Sequence, residues 1–290
     1  MRVRGWTFVA CLSASSFAFG TPVILVPRGV VQYEKAAQAA AKHLGRALVL
    51  DPSDPGLAAQ LKTAEVVVAV GQKAINASRL GPKATPVVFC MVVAPRSSQL
   101  AENVTGVPLE PNPAEVLRQL LLVFPGMKRL GTVFEPGVSD AVVQEARRAA
   151  VPLGVTLVLR PVHSGTDMRE AVSSLDRQVD AVWLPINSKL ITPELVLGLI
   201  GWSAERKLPL VGFLDSFTQA GALASVSPNY TTIGDRAGKL AAELVGRDRS
   251  KPLPSAVFVA GDLTLNVRTA NALGVELSPT AMSAAKQVFR

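Results

Sequence analysis

The sequence predicts an α/β protein of two doubly wound, Rossmann-like lobes, each built on a mostly parallel sheet. Short apolar runs alternate along the chain with helical patterns, which is typical of βα units. The runs are continuously apolar, as strands covered by helices on both faces must be. A proline-rich segment, residues 107–113, separates two series of four such runs. Ligands bind such sheets beyond the carboxyl ends of the strands, so we expect a site in the cleft between the lobes.

Ten apolar segments are expected to form the strands. Residues 222–226 follow the second series, and Ser227 and Pro228 then allow the chain to change lobe. A last strand is expected at residues 255–261, back in the second lobe. Repeated crossing makes a hinge, with Tyr230 beside it. The eight remaining strands are expected at residues 23–26, 47–50, 66–70, 87–93, 130–134, 156–159, 181–184 and 210–213.

Several helices have clear start signals. Asn112, Pro113 and Glu115 supply a cap, a first-turn proline and a capping-box glutamate. A similar box is expected from Asp167 and Glu170, and Thr192-Pro193 opens another helix. The helix after Tyr230 buries a stripe that begins at Ile233. In that helix Gly234 and Gly238 lie one turn apart, so its backbone is expected to approach a neighbour closely. 

The N-terminus has the pattern of a secretory signal. Arg2 and Arg4 precede an apolar run from Gly5 to Phe19 that is too short to span a bilayer, and small residues surround Gly20. We therefore expect cleavage before Thr21 and a periplasmic protein. A frayed N-terminus or a buried first element is the structural alternative, and a lipid anchor at Cys11 is the alternative for export.

Cysteine content and charge narrow the class of protein further. After cleavage Cys90 is the one remaining cysteine, so the mature chain has no internal disulfide, and its apolar neighbours indicate a buried thiol. The formal net charge is +8, but the densest basic groups, at 147–148 and 246–251, are short and lack interleaved aromatic residues. We expect solvated surfaces and no nucleic-acid partner.

The chain lacks the sequence signatures of catalysis. His43 and His163 have no second ligand at metal spacing. There is no Gly-x-Ser-x-Gly elbow, dinucleotide fingerprint or phosphate-binding loop. We expect no enzyme activity, cofactor or metal.

The second half resembles the ABC transporter substrate-binding proteins of the type that includes the bacterial tryptophan- and tyrosine-binding lipoproteins. The resemblance runs over about residues 86–278. It is carried by the segments at 103–107, 120–136, 179–185, 207–245 and 265–277. It implies the type I periplasmic binding-protein fold, a cleft site and delivery of a small molecule to a membrane permease. Gln72 and Lys73 stand where the amino-acid binders often have Thr-Pro.

The expected lobes and site follow from these two lines of argument. We divide the chain into a signal peptide (1–20), lobe one (21–107 and about 225–250), lobe two (108–224 and about 251–277) and a C-terminal tail (278–290), and we expect a monomer. The solute is expected to be small, polar and carboxylate-bearing, with its anion near Lys73 and a helix N-terminus. A sensor that signals to a membrane receptor and a two-lobed transferase are the alternative functions. The expected ligand-binding residues are Arg28, Gly29, Gly71, Gln72, Lys73, Glu135, Asn187, Ser188, Asp215, Ser216 and Tyr230.

Overall fold

A computed structural model describes residues 20–93, 100–186 and 190–290. It contains a five-stranded sheet, order β2-β1-β3-β4-β5, and a seven-stranded sheet, order β12-β11-β10-β9-β8-β6-β7. All neighbouring strands of the first sheet are parallel, and in the second sheet β10 and β11 are antiparallel. The predicted fold class is confirmed.

The bounds of the elements are as follows. The first sheet comprises β1 (Thr21–Leu25), β2 (Leu48–Leu50), β3 (Ala64–Val70), β4 (Val87–Cys90) and β5 (Val104–Val107). The second comprises β6 (Arg129–Phe134), β7 (Thr156–Pro161), β8 (Ala181–Trp183), β9 (Leu210–Gly212), β10 (Ala224–Ser227), β11 (Asp262–Asn266) and β12 (Gln287–Phe289). The helices are α1 (Val31–Ala41), α2 (Leu57–Lys62), α3 (Gln72–Ser78), α4 (Pro113–Val123), α5 (Asp140–Ala150), α6 (Gly165–Ser173), α7 (Pro193–Arg206), α8 (Asp215–Ala220), α9 (Tyr230–Leu244), α10 (Val267–Leu273) and α11 (Pro279–Ala284).

Each sheet is buried on both faces. Along β1, Ile24 belongs to one apolar cluster with α1 and α9, whereas Val23 and Leu25 belong to the cluster on the opposite face. In the second sheet Val182 and Trp183 divide in the same way between two clusters. Since successive strand residues point to opposite faces, continuous apolar runs are what two-sided burial requires.

The chain crosses between the lobes three times in the described residues. It first leaves lobe one after β5, then returns from β10 into α9, and finally crosses along residues 252–261 into β11. Helix α9 packs on lobe one: Ile233, Ala237 and Leu240 share a cluster with β3 and β4. The predicted lobe change at Ser227-Pro228 is therefore present.

Two helix starts match the predictions, and one differs. Asn112 accepts hydrogen bonds from the Ala114 and Glu115 N–H groups, and the Thr192 hydroxyl accepts from the Leu195 N–H. The box expected at Asp167 and Glu170 is wrong: Ser164 caps α6 by accepting from the Asp167 N–H. The Asp167 carboxylate in turn accepts from the His163 N–H. 

The strand expected at residues 255–261 is wrong as well. That segment is extended but forms isolated backbone bonds, from Val257 N–H to the Gly106 carbonyl and from Asn112 N–H to the Val259 carbonyl. Because it passes from one lobe to the other, it has no continuous strand beside it, and the strand begins at Asp262 instead.

Contrary to the expectation of a C-terminal tail, residues 278–290 contain α11 and β12. Gln287 to Phe289 pair in parallel with Thr264 to Asn266 of β11. The Ser278 hydroxyl caps α11 by accepting from the Ala281 N–H, and Ala281 is fully buried in the second lobe's core. Within the described ranges, no helix has the length and hydropathy to span a bilayer.

Candidate functional site

The two sheets place the expected site residues at equivalent points. In each sheet the first strand lies between the second and the third, so strand order reverses between β1 and β3 and between β6 and β8. Loops at such switch points border a ligand crevice at the carboxyl ends of the strands. The predicted residues of these loops are Arg28, Gly29, Gly71, Gln72 and Lys73 in lobe one and Glu135 in lobe two, whereas Asn187 and Ser188 lie outside the described residues.

Arg28 is held within lobe one. Its guanidinium pairs with Asp54, at 3.0 Å from Nη2 to Oδ1, and its backbone N–H donates to the Asp51 carboxylate at 2.8 Å. This bond, with a second from the Ser53 N–H, lowers the pKa of Asp51 below its ordinary value. The Arg28 side chain is 75% exposed, so its outer face is open to solvent.

Gly71 is required by its surroundings. Its φ of +84° is costly for other residues, and a β-carbon there would stand 2.7 Å from the ring of Tyr33. Tyr33, on the first turn of α1, therefore lies directly over the loop that ends β3. Sequence reasoning missed Tyr33, although its position soon after the first strand is the available signal.

Gln72 and Lys73 open α3 and are exposed. The Gln72 amide donates to Asn76 one turn later, at 3.2 Å. The Lys73 side chain makes no hydrogen bond or ion pair with the described residues, so among these its ammonium group is available to solvent or a solute. On the other side of the switch point, the Gly29 N–H donates to Glu34.

In lobe two, Glu135 begins a turn in which its carbonyl accepts from the Val138 and Ser139 N–H groups. The turn directs the chain from β6 into α5, and the Asp140 carboxylate accepts from the Gly137 N–H. Glu135 is thus placed at the switch point by a local turn.

Asp215 and Ser216 are the first residues of α8, directly after β9. Ser216 is exposed, whereas the Asp215 Oδ1 atom is buried and has no hydrogen-bond partner among the described residues. A buried carboxylate oxygen without a donor is costly, so this atom marks a place where a donor from elsewhere would be stabilising.

A rigid support stands behind Asp215. The rings of Phe213 and Phe217 pack edge to face with centroids 4.9 Å apart. The buried Thr218 hydroxyl is 2.7 Å from the Ser225 hydroxyl and 2.9 Å from that of Thr264. The Asn266 amide donates to the Thr218 carbonyl. These contacts fix α8 against β10 and β11.

Tyr230, which packs on lobe one, lies near Asp215 of lobe two. It is the first residue of α9, is half-buried, and packs against the lobe-one core. Burial, and then the negative charge of Asp215, raise its pKa above the ordinary value, while Lys286 acts in the opposite direction. The expected residues Asp215 and Tyr230 are therefore neighbours electrostatically, although they belong to different lobes.

Sequence reasoning missed two charged groups at this place, Asp262 and Lys286. The Lys286 ammonium contacts the Asp262 carboxylate, which raises the pKa of Lys286 above its ordinary value, with smaller contributions from Asp215 and Tyr230. Asp262 was missed because the strand was expected at residues 255–261, before it. Lys286 was missed because residues 278–290 were expected to be a tail. The short pattern 287–289 after a proline-initiated helix was the available signal.

The His43 side chain has a structural partner. His43 Nε2 lies 2.6 Å from an Asp235 oxygen and joins the end of α1 to α9. No group of three or more histidine, cysteine or acidic side chains among the described residues has the arrangement of a metal site.

Comparison with known proteins identifies the family. The family model for ABC transporter substrate-binding proteins matches residues 56–289, most of the chain. The chain belongs to this family. A tyrosine-binding protein of Clostridioides difficile is 19% identical over 221 residues, which are 73% of this chain and 64% of that relative. The alignment thus spans less than two thirds of that relative's length.

Solved structures of similar proteins have the same fold. A ligand-free, open substrate-binding protein with adhesive properties from Clostridium difficile superposes with a TM-score of 0.65 at 17% identity, covering 93% of this chain and 99% of that one. An ABC domain in complex with L-Trp from Streptococcus pneumonia gives 0.61 at 19% identity, covering 94% and 100%.

Membership of this substrate-binding family decides between classes of function. The family consists of binding proteins, so the protein is not an enzyme and the transferase alternative is removed. The family also implies an extracytoplasmic location and a small-molecule ligand. 

Proposed function

We propose that this protein is the solute receptor of an ABC-type importer and that it binds a small, polar, carboxylate-bearing molecule between its lobes. Ligand binding would stabilise a closed arrangement through contacts made with both lobes, and a permease in the membrane would receive the solute. A periplasmic sensor of the same fold is the second candidate, and transport assays with the cognate membrane proteins separate the two.

The observation that carries the cleft site is the buried Asp215 oxygen. It has no partner among the described residues, it lies at the carboxyl end of β9, and Tyr230 of the other lobe is within its electrostatic range. A donor group on the solute, an ammonium or a hydroxyl, would satisfy it. The carboxylate of the solute would lie near the exposed Lys73.

The comparisons support an amino acid as the first class of solute to test, since one relative is a tyrosine-binding protein and one neighbour contains L-Trp. The two halves of the proposed site, Lys73 and Asp215, carry the charges that a zwitterion needs. Carboxylates without an amine, such as succinate, are the alternative that tests the Asp215 contact.

Calorimetry with the common amino acids and with simple dicarboxylates tests this site. Once a ligand is found, Lys73→Ala and Asp215→Asn should each weaken binding roughly ten- to a hundred-fold, because the first removes a charged donor and the second the charge of an acceptor, and a charge-assisted hydrogen bond contributes about 1.5–3 kcal/mol. Lys62→Ala and Asp248→Asn are matched controls, as both are exposed at the opposite end of lobe one. Equal affinity of all four variants would place the ligand elsewhere.

We also propose that the mature protein starts at Thr21, is periplasmic and monomeric, and has the lobe boundaries given above, except that residues 278–290 belong to lobe two. N-terminal sequencing of exported protein decides the first point. An acylated Cys11 would instead establish a lipoprotein, and Cys11→Ser should leave export intact if the signal is cleaved before Thr21.

A further inference from the structure

The three crossings between the lobes meet at one point. A β-carbon at Gly261 would stand 2.8 Å from Pro111 of the first crossing and 2.8 Å from the Ser227 carbonyl at the end of β10. The Gln119 amide donates to the Gly261 carbonyl at 3.0 Å. The third crossing is therefore packed tightly against the other two where it enters lobe two.

Asn229 uses both ends of its side-chain amide at this junction. Its Oδ1 accepts from the Thr232 N–H at 2.9 Å and caps α9. Its Nδ2 donates to the two Asp262 carboxylate oxygens at 3.0 and 3.1 Å. The residue that starts the lobe-one helix is thus bound to the residue that starts β11 of lobe two.

Asp262 is itself held from the other side. Its side chain is 18% exposed and contacts the Lys286 ammonium, while the Lys286 N–H donates to the Leu263 carbonyl at 2.8 Å. A largely buried carboxylate with donors from both Asn229 and Lys286 has a defined position, which a surface ion pair lacks.

We propose that Asp262 is a positioning residue for the cleft: through Asn229 it fixes the first turn of α9, and hence Tyr230, relative to Asp215, and so sets the resting angle between the lobes. Helix α9 transmits this restraint to lobe one because Gly234 and Gly238 pack directly on the backbone of α1. The proposal builds on the proposed cleft site, but it concerns the ligand-free protein.

The variant that tests the hydrogen bond between Asn229 and Asp262 is Asn229→Ser, which keeps a good helix cap and removes the amide donor. Asn229→Asp also keeps the cap and places a second carboxylate against Asp262. Asn266→Ser is the matched control, because Asn266 caps α10 and donates to the Thr218 carbonyl entirely within lobe two.

The measurement is the distance between spin labels on the two lobes, at Arg46→Cys and Glu170→Cys, in ligand-free exported protein. Both positions are exposed, whereas the native Cys90 is buried and should react only slowly. Circular dichroism first verifies that every variant is folded.

We expect a single narrow distance distribution for the parent and for Asn266→Ser. Asn229→Ser should replace this narrow distance distribution with a broad one. Asn229→Asp should shift the distribution. Lys286→Met should broaden the distance distribution less than Asn229→Ser, because it removes one of the two donors to Asp262. An unchanged distribution in the Asn229 variants, or equal broadening in Asn266→Ser, would overturn the proposal. Because any co-purifying solute is removed before labelling and none is added, this result is independent of whether the proposed solute binds.

Discussion

Gly234 of α9 lies against the backbone of Ala36 in α1: a β-carbon at Gly234 would stand 2.6 Å from the Ala36 Cα. One turn later Gly238 has the same relationship to Ala40, at 2.7 Å. The two glycines of α9, which weaken an isolated helix, allow a lobe-crossing helix to dock closely on lobe one.

Gly234→Ala should therefore destabilise the protein by about 1–3 kcal/mol, because the new methyl group has no space and the helices must separate. The control is Gly201→Ala in α7, where no atom lies within 4 Å of the added carbon. That change should stabilise by about 0.5–1 kcal/mol through helix propensity. Urea denaturation measures both, and equal effects at the two sites would contradict the packing argument.

Cys90 should be inert in the native protein. It is fully buried at the end of β4, and burial raises the pKa of its thiol to about 12, so almost no thiolate exists at neutral pH. A thiol reagent should label it slowly in the native state and rapidly in denaturant. Rapid native labelling would show instead that Cys90 is reachable from solvent.

The ionisation of Tyr230 reports the charges around it. Because the chain has two tyrosines, Tyr33→Phe leaves Tyr230 as the one phenol in an absorbance titration. Removing the nearby positive charge with Lys286→Met should raise the pKa of Tyr230 further, and Asp215→Asn should lower it. Lys239→Met, on the same helix and paired with Asp235, is the control and should leave the titration unchanged. Identical titrations of all the variants would show that the charges of Asp215 and Lys286 do not affect the pKa of Tyr230.

Stability at high pH should depend on Lys286. Its folded-state pKa is raised above the ordinary value of 10.5, chiefly by the Asp262 carboxylate. The stabilising contribution is therefore complete below pH 10.5 and is lost as pH rises through the folded-state pKa. Thermal unfolding from pH 9 to 12 should show a shallower alkaline loss in Lys286→Met than in the parent. Parallel curves would mean that the ion pair adds no pH-dependent stability.

The sequence predicted the fold well because local patterns determine it. The continuous apolar runs and the cap at Asn112 depend on neighbours in sequence, and the glycine spacing at 234 and 238 depends on the period of one helix. Residues 255–261 have the composition of a strand, but whether they pair depends on what lies beside them after the chain has crossed between lobes.

The site was harder to predict because some of its residues come together only through contacts between distant segments. The loop residues at the switch points, such as Gly71, follow from strand ends and could be named in advance. Asp262 and Lys286 come together through the pairing of β11 with β12, which links segments more than twenty residues apart and has no local signal of a site.

Native mass spectrometry of the exported protein from its own host can detect directly a small solute that stays bound to it. We expect one polypeptide carrying one small, carboxylate-bearing molecule, with occupancy lost in Lys73→Ala and Asp215→Asn and kept in Lys62→Ala and Asp248→Asn. A bound molecule whose occupancy is the same in all four variants, or a protein that never carries or acquires a small molecule, would contradict this expectation.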